Sequence, residues 1–254
     1  GRFQRVGFVY AMLQAPPPVF LRSIRSVASM TTTSLSQVNR PVAAFDVAVQ
    51  CFADGLNFPH SAYNLLAKTL ASHVSLVDDA YYLLETRHNN EQPVPLAAIN
   101  LIIDACALVD ENGDLDRAFA TWAELDRLKL EPDVSTYNAL LHTCVRSREA
   151  SSGRRLLARM AASDLKPNEY TYQFRVALLA MQRQEYAALD AYKECRAADL
   201  MPTEKMYITL INCALRCRRY AMAREICDEL ETHIGPRVGI RSRVEDAVAN
   251  YVAD

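Results

Sequence analysis

Between residues 134 and 168 the apolar positions fall into two helical patterns. Tyr137, Leu140, Leu141, Cys144 and Val145 recur at the three- and four-residue spacing of one helix face. Leu156, Leu157 and Met160 do the same for a second helix. Residues 148–153 lie between the two and are expected to form the turn. Pro167 closes the unit, because proline cannot continue a helix and pushes the residue before it toward extended geometry. The next 35 residues, 169–203, repeat the design. Thr136-Tyr137 is answered by Thr171-Tyr172, and Leu165-Lys166-Pro167 by Leu200-Met201-Pro202. Leu130-Glu131-Pro132 stands another 35 residues upstream. One helical hairpin cannot bury its apolar face alone, whereas stacked hairpins can. A fixed period of this length therefore predicts an all-α solenoid.

The rest of the chain follows the same plan less strictly. Residues 41–59 read as a partial unit, a lone second helix over 44–56 carrying Phe45, Val47, Val49, Cys51 and Phe52. Residues 60–95 form a helical pair, with Tyr63, Leu65, Leu66 and Leu70 in its first helix and Ala80, Leu83 and Leu84 in its second. The unit 96–133 is about three residues over the period, with the surplus in the turn at 109–113, where insertions are tolerated. Its second helix carries Ala118, Phe119, Trp122 and Leu125 on one face, which assigns Trp122 to the core. The unit 204–238 is degenerate: Met206-Tyr207 replaces Thr-Tyr and Pro236 arrives one residue early. Ser242 and Glu245 are spaced as a capping box, which predicts a last, capping helix over 242–252. No uninterrupted apolar run approaches the roughly 18 residues that signal a membrane helix.

Charge divides the chain. Its net charge is −2. Residues 1–45 hold five Arg and no acid, residues 46–133 carry a balance of −10, and residues 134–254 a balance of +3. Binding RNA needs cations against phosphate. Arg146, Arg148, Arg216, Arg218 and Arg219, near the ends of first helices, can supply them, whereas the acidic middle cannot. The same charges also suit a solvated outer face. The seven cysteines include no Cys-x-x-Cys and have no His at ligand spacing. Cys106, Cys144 and Cys213 recur at similar places in first helices, which points to packing between helices and to no metal or cofactor.

Residues 1–40 differ in kind. They hold Arg2, Arg5, Arg22, Arg25 and Arg40, many Ser and Thr, and Pro16-Pro17-Pro18. Phe20, Leu21, Ile24, Val27 and Ala28 would line one face of a short helix. An acid-free, Arg-rich, amphipathic leader matches a transit peptide, with mitochondrion first and plastid second, and Met12 would serve as its start. A disordered tail has the same composition.

The 35-residue length, the Thr136-Tyr137-Asn138 opening and the closing Leu165-Lys166-Pro167-Asn168 resemble the pentatricopeptide repeat. The tetratricopeptide repeat competes, but it has a period of 34 and wants a Trp and a Leu-Gly pair in its first helix. Here Trp122 is the only Trp and falls in a second helix. The resemblance implies a right-handed superhelix of antiparallel helix pairs whose first helices line a groove for single-stranded RNA. It also implies that a polar residue near the start of each first helix acts with the last residue of that repeat to select a base. The former are Asn64, Asn100, Asn138, Gln173 and Ile208, and the latter Asp133, Asn168 and Thr203. Asn100 with Asp133 resembles the uracil-preferring pair, and Asn138 with Asn168 the cytosine-leaning one. Gln173 with Thr203 matches neither, and Ile208 cannot hydrogen-bond a base. Asn and Asp beside a helix start are also good capping residues, so capping is the rival role.

These features point to an organellar RNA-binding adaptor, acting in RNA processing, stability or translation. The alternative is a non-catalytic structural subunit of a mitochondrial ribosome or similar assembly, with residues 46–133 as its protein-contact surface. An enzyme is not expected, since the His-x-Glu and Pro-Cys-x-x-Cys signature of the nucleobase deaminases is absent.

Overall fold

The computed structural model describes residues 40–56 and 58–253. The expected leader therefore lies outside the described residues except for Arg40. All regular structure among the described residues is helical, twelve helices of an all-α repeat solenoid. They are α1 (Pro41–Ala53), α2 (His60–Leu70), α3 (Val74–Asn89), α4 (Leu96–Leu108), α5 (Leu115–Leu128) and α6 (Val134–Arg146). Then follow α7 (Ala150–Ala162), α8 (Glu169–Met181), α9 (Glu185–Ala197), α10 (Glu204–Arg216), α11 (Tyr220–His233) and α12 (Val238–Ala253). None is long and apolar enough to cross a membrane.

The helices group into two compact units. The first takes the described residues up to 110 together with 120–131, and the second takes 111–119 and the described residues from 132 on. In the first, α1 packs on α2, α3 and α4, and α2 and α3 pack on α4. Phe45, Leu66, Leu70, Leu84, Ile99, Leu101, Ile102 and Ile103 are fully buried there. Arg87 on α3 ties back to α1, donating to Gln50 Oε1 at 2.9 Å and Asp46 Oδ1 at 3.4 Å. Helix α1 begins at Pro41, earlier than the apolar pattern suggested, because proline suits the first turn of a helix.

The second unit shows the repeat plainly. Helices α6, α8 and α10 begin at residues 134, 169 and 204, and α7, α9 and α11 at 150, 185 and 220. Each first helix packs on its own second helix and on the next first helix, and each second helix packs on the next first helix. First helices are thereby covered on several sides. In α6 the buried run is Thr136 to Leu141 with Thr143 and Cys144, whereas α7 buries only Ser152, Gly153, Leu156 and Met160. Burying Tyr137, Leu140 or Leu141 stabilises the fold by about 1.5–3 kcal/mol each relative to exposure.

Gly113 and Gly235 hold positive φ in their turns, but the turns between them are set by left-handed residues that are not glycine. Arg148, Arg183 and Arg218 hold φ of 58°, 55° and 57° after the first helices, and Asp164 and Asp199 hold 54° and 57° after the second. The residue following each arginine reaches back over the helix end: Glu149, Gln184 and Arg219 N–H donate to the carbonyls of Cys144, Leu179 and Ala214 at 2.9, 3.1 and 2.8 Å. These are Schellman closures, which use up carbonyls the helix leaves unsatisfied.

Three sequence expectations need correction. Gly153 does not belong to the turn, which is only residues 147–149, but is buried in the first turn of α7. The left-handed position that would favour glycine is taken by Arg148. The last helix starts at Val238 rather than Ser242, and Ser242 makes no capping box; its Oγ donates to Asp246 Oδ2 at 3.3 Å. Tertiary anchors fix this helix start instead. Arg237 Nε donates to Glu204 Oε1 at 2.7 Å, Arg241 pairs with Glu231 and Asp228, and Val244 is fully buried. Helix α12 packs on α10 and α11, the place a further first helix would take. Trp122, expected in the core, is only partly buried.

Candidate nucleic-acid interface

Helices α6, α8 and α10 each start at a residue whose side chain caps the helix. Asp133 Oδ1 accepts from Thr136 N–H at 2.8 Å, and Asp133 N–H donates to Thr136 Oγ1 at 3.1 Å. Asn168 and Thr171 repeat this box at 3.0 and 3.2 Å. Thr203 Oγ1 accepts from Met206 N–H at 3.2 Å, and Met206 has no hydroxyl to complete the box. Caps of this kind contribute about 0.5–2 kcal/mol. The second helices α7, α9 and α11 have no side-chain cap.

Two of these caps also hold the amide of the preceding first helix. Asn138 Nδ2 donates to Asn168 Oδ1 at 2.9 Å, and Asn138 Oδ1 accepts from Thr171 Oγ1 at 2.8 Å. One repeat on, Thr203 Oγ1 donates to Gln173 Oε1 at 2.7 Å. The structure thus brings Asn138 to Asn168 and Gln173 to Thr203. Capping and amide pairing are carried by one residue rather than being rivals. Asn138 and Gln173 each keep 9 % of their surface exposed, Asn100 only 4 %. Asn100 belongs to the first unit and Asp133 to the second. Asn64 is exposed on α2, and the N-cap of α4 that closes its repeat is Pro95, which has no polar side chain to offer. Ile208 sits at the corresponding place on α10.

The arginines differ in their company. Arg216 Nη2 donates to the Ala180 carbonyl at the end of α8, at 3.0 Å. Arg146 is partly buried at the end of α6. Arg148 and Arg218 are exposed at the left-handed turn positions. Arg219 pairs with Glu185 at 3.2 Å and lies 5.3 Å over the Tyr186 ring. The Glu185 carboxyl is held below the usual range by its own backbone N–H and by Arg219, and that of Glu204 by Arg237. Sequence reasoning missed His142 and Phe174, whose rings stack at 5.4 Å between α6 and α8. It also missed Thr171, 1 % exposed, which joins two repeats. A cavity of about 370 Å³ lined by Arg154, Leu157, Arg175, Leu178, Asp190 and Glu194 contains none of the paired amides. Among the described residues no group of His, Cys, Asp or Glu is arranged to hold a metal.

Stacked helical hairpins with capped, amide-bearing first helices define an α-helical repeat protein. Residues 31–125 match the family model described as Pentatricopeptide repeat-containing protein, and residues 132–174 match that of the PPR repeat family. The two matches together span more than half of the chain, which belongs to the pentatricopeptide repeat family. A curated relative, a mitochondrial pentatricopeptide repeat-containing protein of Arabidopsis thaliana, is 25% identical over 227 residues, 87% of this chain and 34% of the relative. The chain thus spans about a third of that relative's length. The fold is similar to that of the pentatricopeptide repeat protein PPR10 from maize, with TM-score 0.55 and 20% identity over 98% of this chain and 36% of that one. PPR10 in complex with an 18-nt psaJ RNA element gives TM-score 0.53 at 20% identity, over 95% of this chain and 37% of that one. The PPR domain of Arabidopsis thaliana protein-only RNase P 1, in complex with tRNA, gives TM-score 0.57 at 14% identity over 75% of this chain and 99% of that one.

Proposed function

We propose that this chain is a non-catalytic adaptor that binds single-stranded RNA in an organelle, with mitochondrion as the compartment. The observation that carries the reading is the pairing of two first-helix amides with the cap of the following helix, Asn138 with Asn168 and Gln173 with Thr203. Helical repeats of this kind read one base each with two or three side chains. A groove side chain held by a rigid helix start has the fixed geometry that base discrimination demands. Arg146 in the first of these repeats and Arg216 in the unit after them supply cations. PPR10 bound to an RNA element and the mitochondrial relative support the RNA and the compartment, respectively.

Two or three read bases, each worth about 1–3 kcal/mol of discrimination, cannot single out one site in a transcriptome. The chain therefore acts with further repeats or within an assembly. The acid balance of residues 46–133 favours a protein partner there, which is also the basis of the second reading, a structural subunit of a ribonucleoprotein. Titration of the full chain with short U/C-rich single-stranded RNA across a salt series tests the first reading. Binding that weakens with salt and with Asn138→Ala supports it. Failure to bind any single strand, with co-migration with ribosomal subunits, would replace it by the second.

A further inference from the structure

A side-chain amide has two opposite ends, an acceptor oxygen and a donor nitrogen, and which end faces a ligand decides what it can read. In the unit 134–168 the backbone settles this. Thr171 N–H donates to Asn168 Oδ1 at 3.0 Å, which holds the oxygen of Asn168 against α8 and turns its Nδ2 away. Asn138 can meet that oxygen only with its own nitrogen, and does so at 2.9 Å. Its Oδ1 then lies on the other side, where the Thr171 hydroxyl donates to it at 2.8 Å. That hydroxyl has one hydrogen. Asn138 Oδ1 is nearer than Asn168 Oδ1, at 3.1 Å, and receives it, while the hydroxyl oxygen accepts from Asn168 N–H at 3.2 Å. Both N–H groups of Asn168 Nδ2 and one of Asn138 Nδ2 remain uncommitted.

We infer that Thr171 is a positioning residue for base recognition by the preceding repeat: its N–H and hydroxyl lock Asn138 and Asn168 with their nitrogens toward the ligand. The unit then offers only donors and selects a base edge of adjacent acceptors. Cytosine presents O2 and N3 in that way, whereas uracil presents a hydrogen at N3. The next repeat reaches the same polarity by a shorter route. Met206 N–H donates to Thr203 Oγ1, which donates to Gln173 Oε1 and leaves Gln173 Nε2 free. No residue there acts as Thr171 does, so loss of the Thr171 hydroxyl affects one repeat only.

The inference rests on base reading by Asn138 and Asn168, and the test separates the two. Full-length wild type, Thr171→Val, Thr171→Ser, Asn168→Asp and Asn138→Ala are titrated with a pyrimidine RNA panel in which each position in turn is C or U. Thermal melting is recorded alongside. Wild type prefers C at one position by about tenfold, the scale of a single good base contact. Thr171→Val keeps the N–H but frees Asn138 Oδ1, so it lowers that ratio severalfold and leaves the other positions unchanged, while Thr171→Ser retains it. Asn168→Asp keeps the cap, turns an oxygen outward and moves the preference to U, an outcome that stands even if Thr171→Val does not fold. A Thr171→Val protein that melts earlier yet keeps the C/U ratio overturns the inference, since Thr171 is then only a cap. If Asn138→Ala leaves every C/U ratio unchanged, base reading itself fails.

Discussion

Gly153 in α7 lies against Leu178 in α8, so close that a Cβ on Gly153 would stand 2.5 Å from Leu178 Cδ1 and 3.2 Å from its Cγ. Leu178 is 2 % exposed and has little room to retreat. Glycine in a helix costs about 1 kcal/mol relative to alanine, so Gly153→Ala gains that much from propensity. Overpacking takes back about 1–3 kcal/mol. The net expectation is destabilisation of about 1 kcal/mol by urea unfolding. In a Leu178→Ala background the clash is gone and the same change should stabilise. A double-mutant cycle that shows no coupling would sink this account.

The left-handed turns lead to an opposite forecast. Arg183 holds φ 55°, a conformation that costs an L-residue about 1–2 kcal/mol and glycine little. Arg183→Gly should therefore stabilise the chain by about 0.5–1 kcal/mol after the extra unfolded-state freedom is counted. Gln182, next to it, has φ −87° and ψ 6°. Gln182→Gly should destabilise, and equal effects of the two substitutions on the unfolding midpoint would exclude the conformational cause.

Burial pushes the Cys144 thiol up to about 12, helped by Glu149, and the Cys51 thiol up to about 11, helped by Asp54. A pKa raised in the folded state means that the folded chain holds its proton where the unfolded chain, near 8.5, releases it. The corresponding stability is complete below about pH 8.5 and is lost as pH rises toward the folded values, at up to about 1.4 kcal/mol per pH unit and thiol. Unfolding free energy measured from pH 8 to 11 should fall, and Cys144→Ala should flatten the decline.

Tyr192 and Tyr207 are 3 % and 0 % exposed, and their hydroxyl oxygens lie 3.3 Å apart. Tyr192 also donates to Glu229 and accepts from Arg196 at 3.4 Å. Tyr192→Phe strands the Tyr207 hydroxyl in the core and should cost about 1–3 kcal/mol. Replacing both tyrosines by phenylalanine removes the stranded group and should cost less than the single change, as denaturant unfolding can show.

Much of this architecture is legible in the sequence because its period is physical. Tyr137, Leu140 and Leu141 recur two periods on as Tyr207, Leu210 and Ile211, since these two first helices are covered in the same way. The turns are less legible. Between residues 148 and 218 the left-handed residues are Arg and Asp, so Gly153 does not mark the turn of its repeat. The closeness that demands Gly153 comes from Leu178, in another helix. The Ser242 pattern satisfied a local rule, but Arg237, Arg241 and Val244 set that helix start through contacts with α10 and α11. For the amides, the resemblance supplied positions. It could not show that Asn168 is cap and partner at once, nor that Thr171 reaches back 33 residues to Asn138.

The double duty at residues 168 and 203 narrows their vocabulary. A side chain there has to start a helix, so the letters open to it are few: Asp, Asn, Ser and Thr. A change made for the sake of a ligand is also a change to the fold, and the reverse holds as well. Where the letter falls outside that set, as Pro95 does before α4, the helix starts without a side-chain cap and the preceding amide has no side chain to pair with. Respelling such a repeat would take an edit to the foundation of the next one.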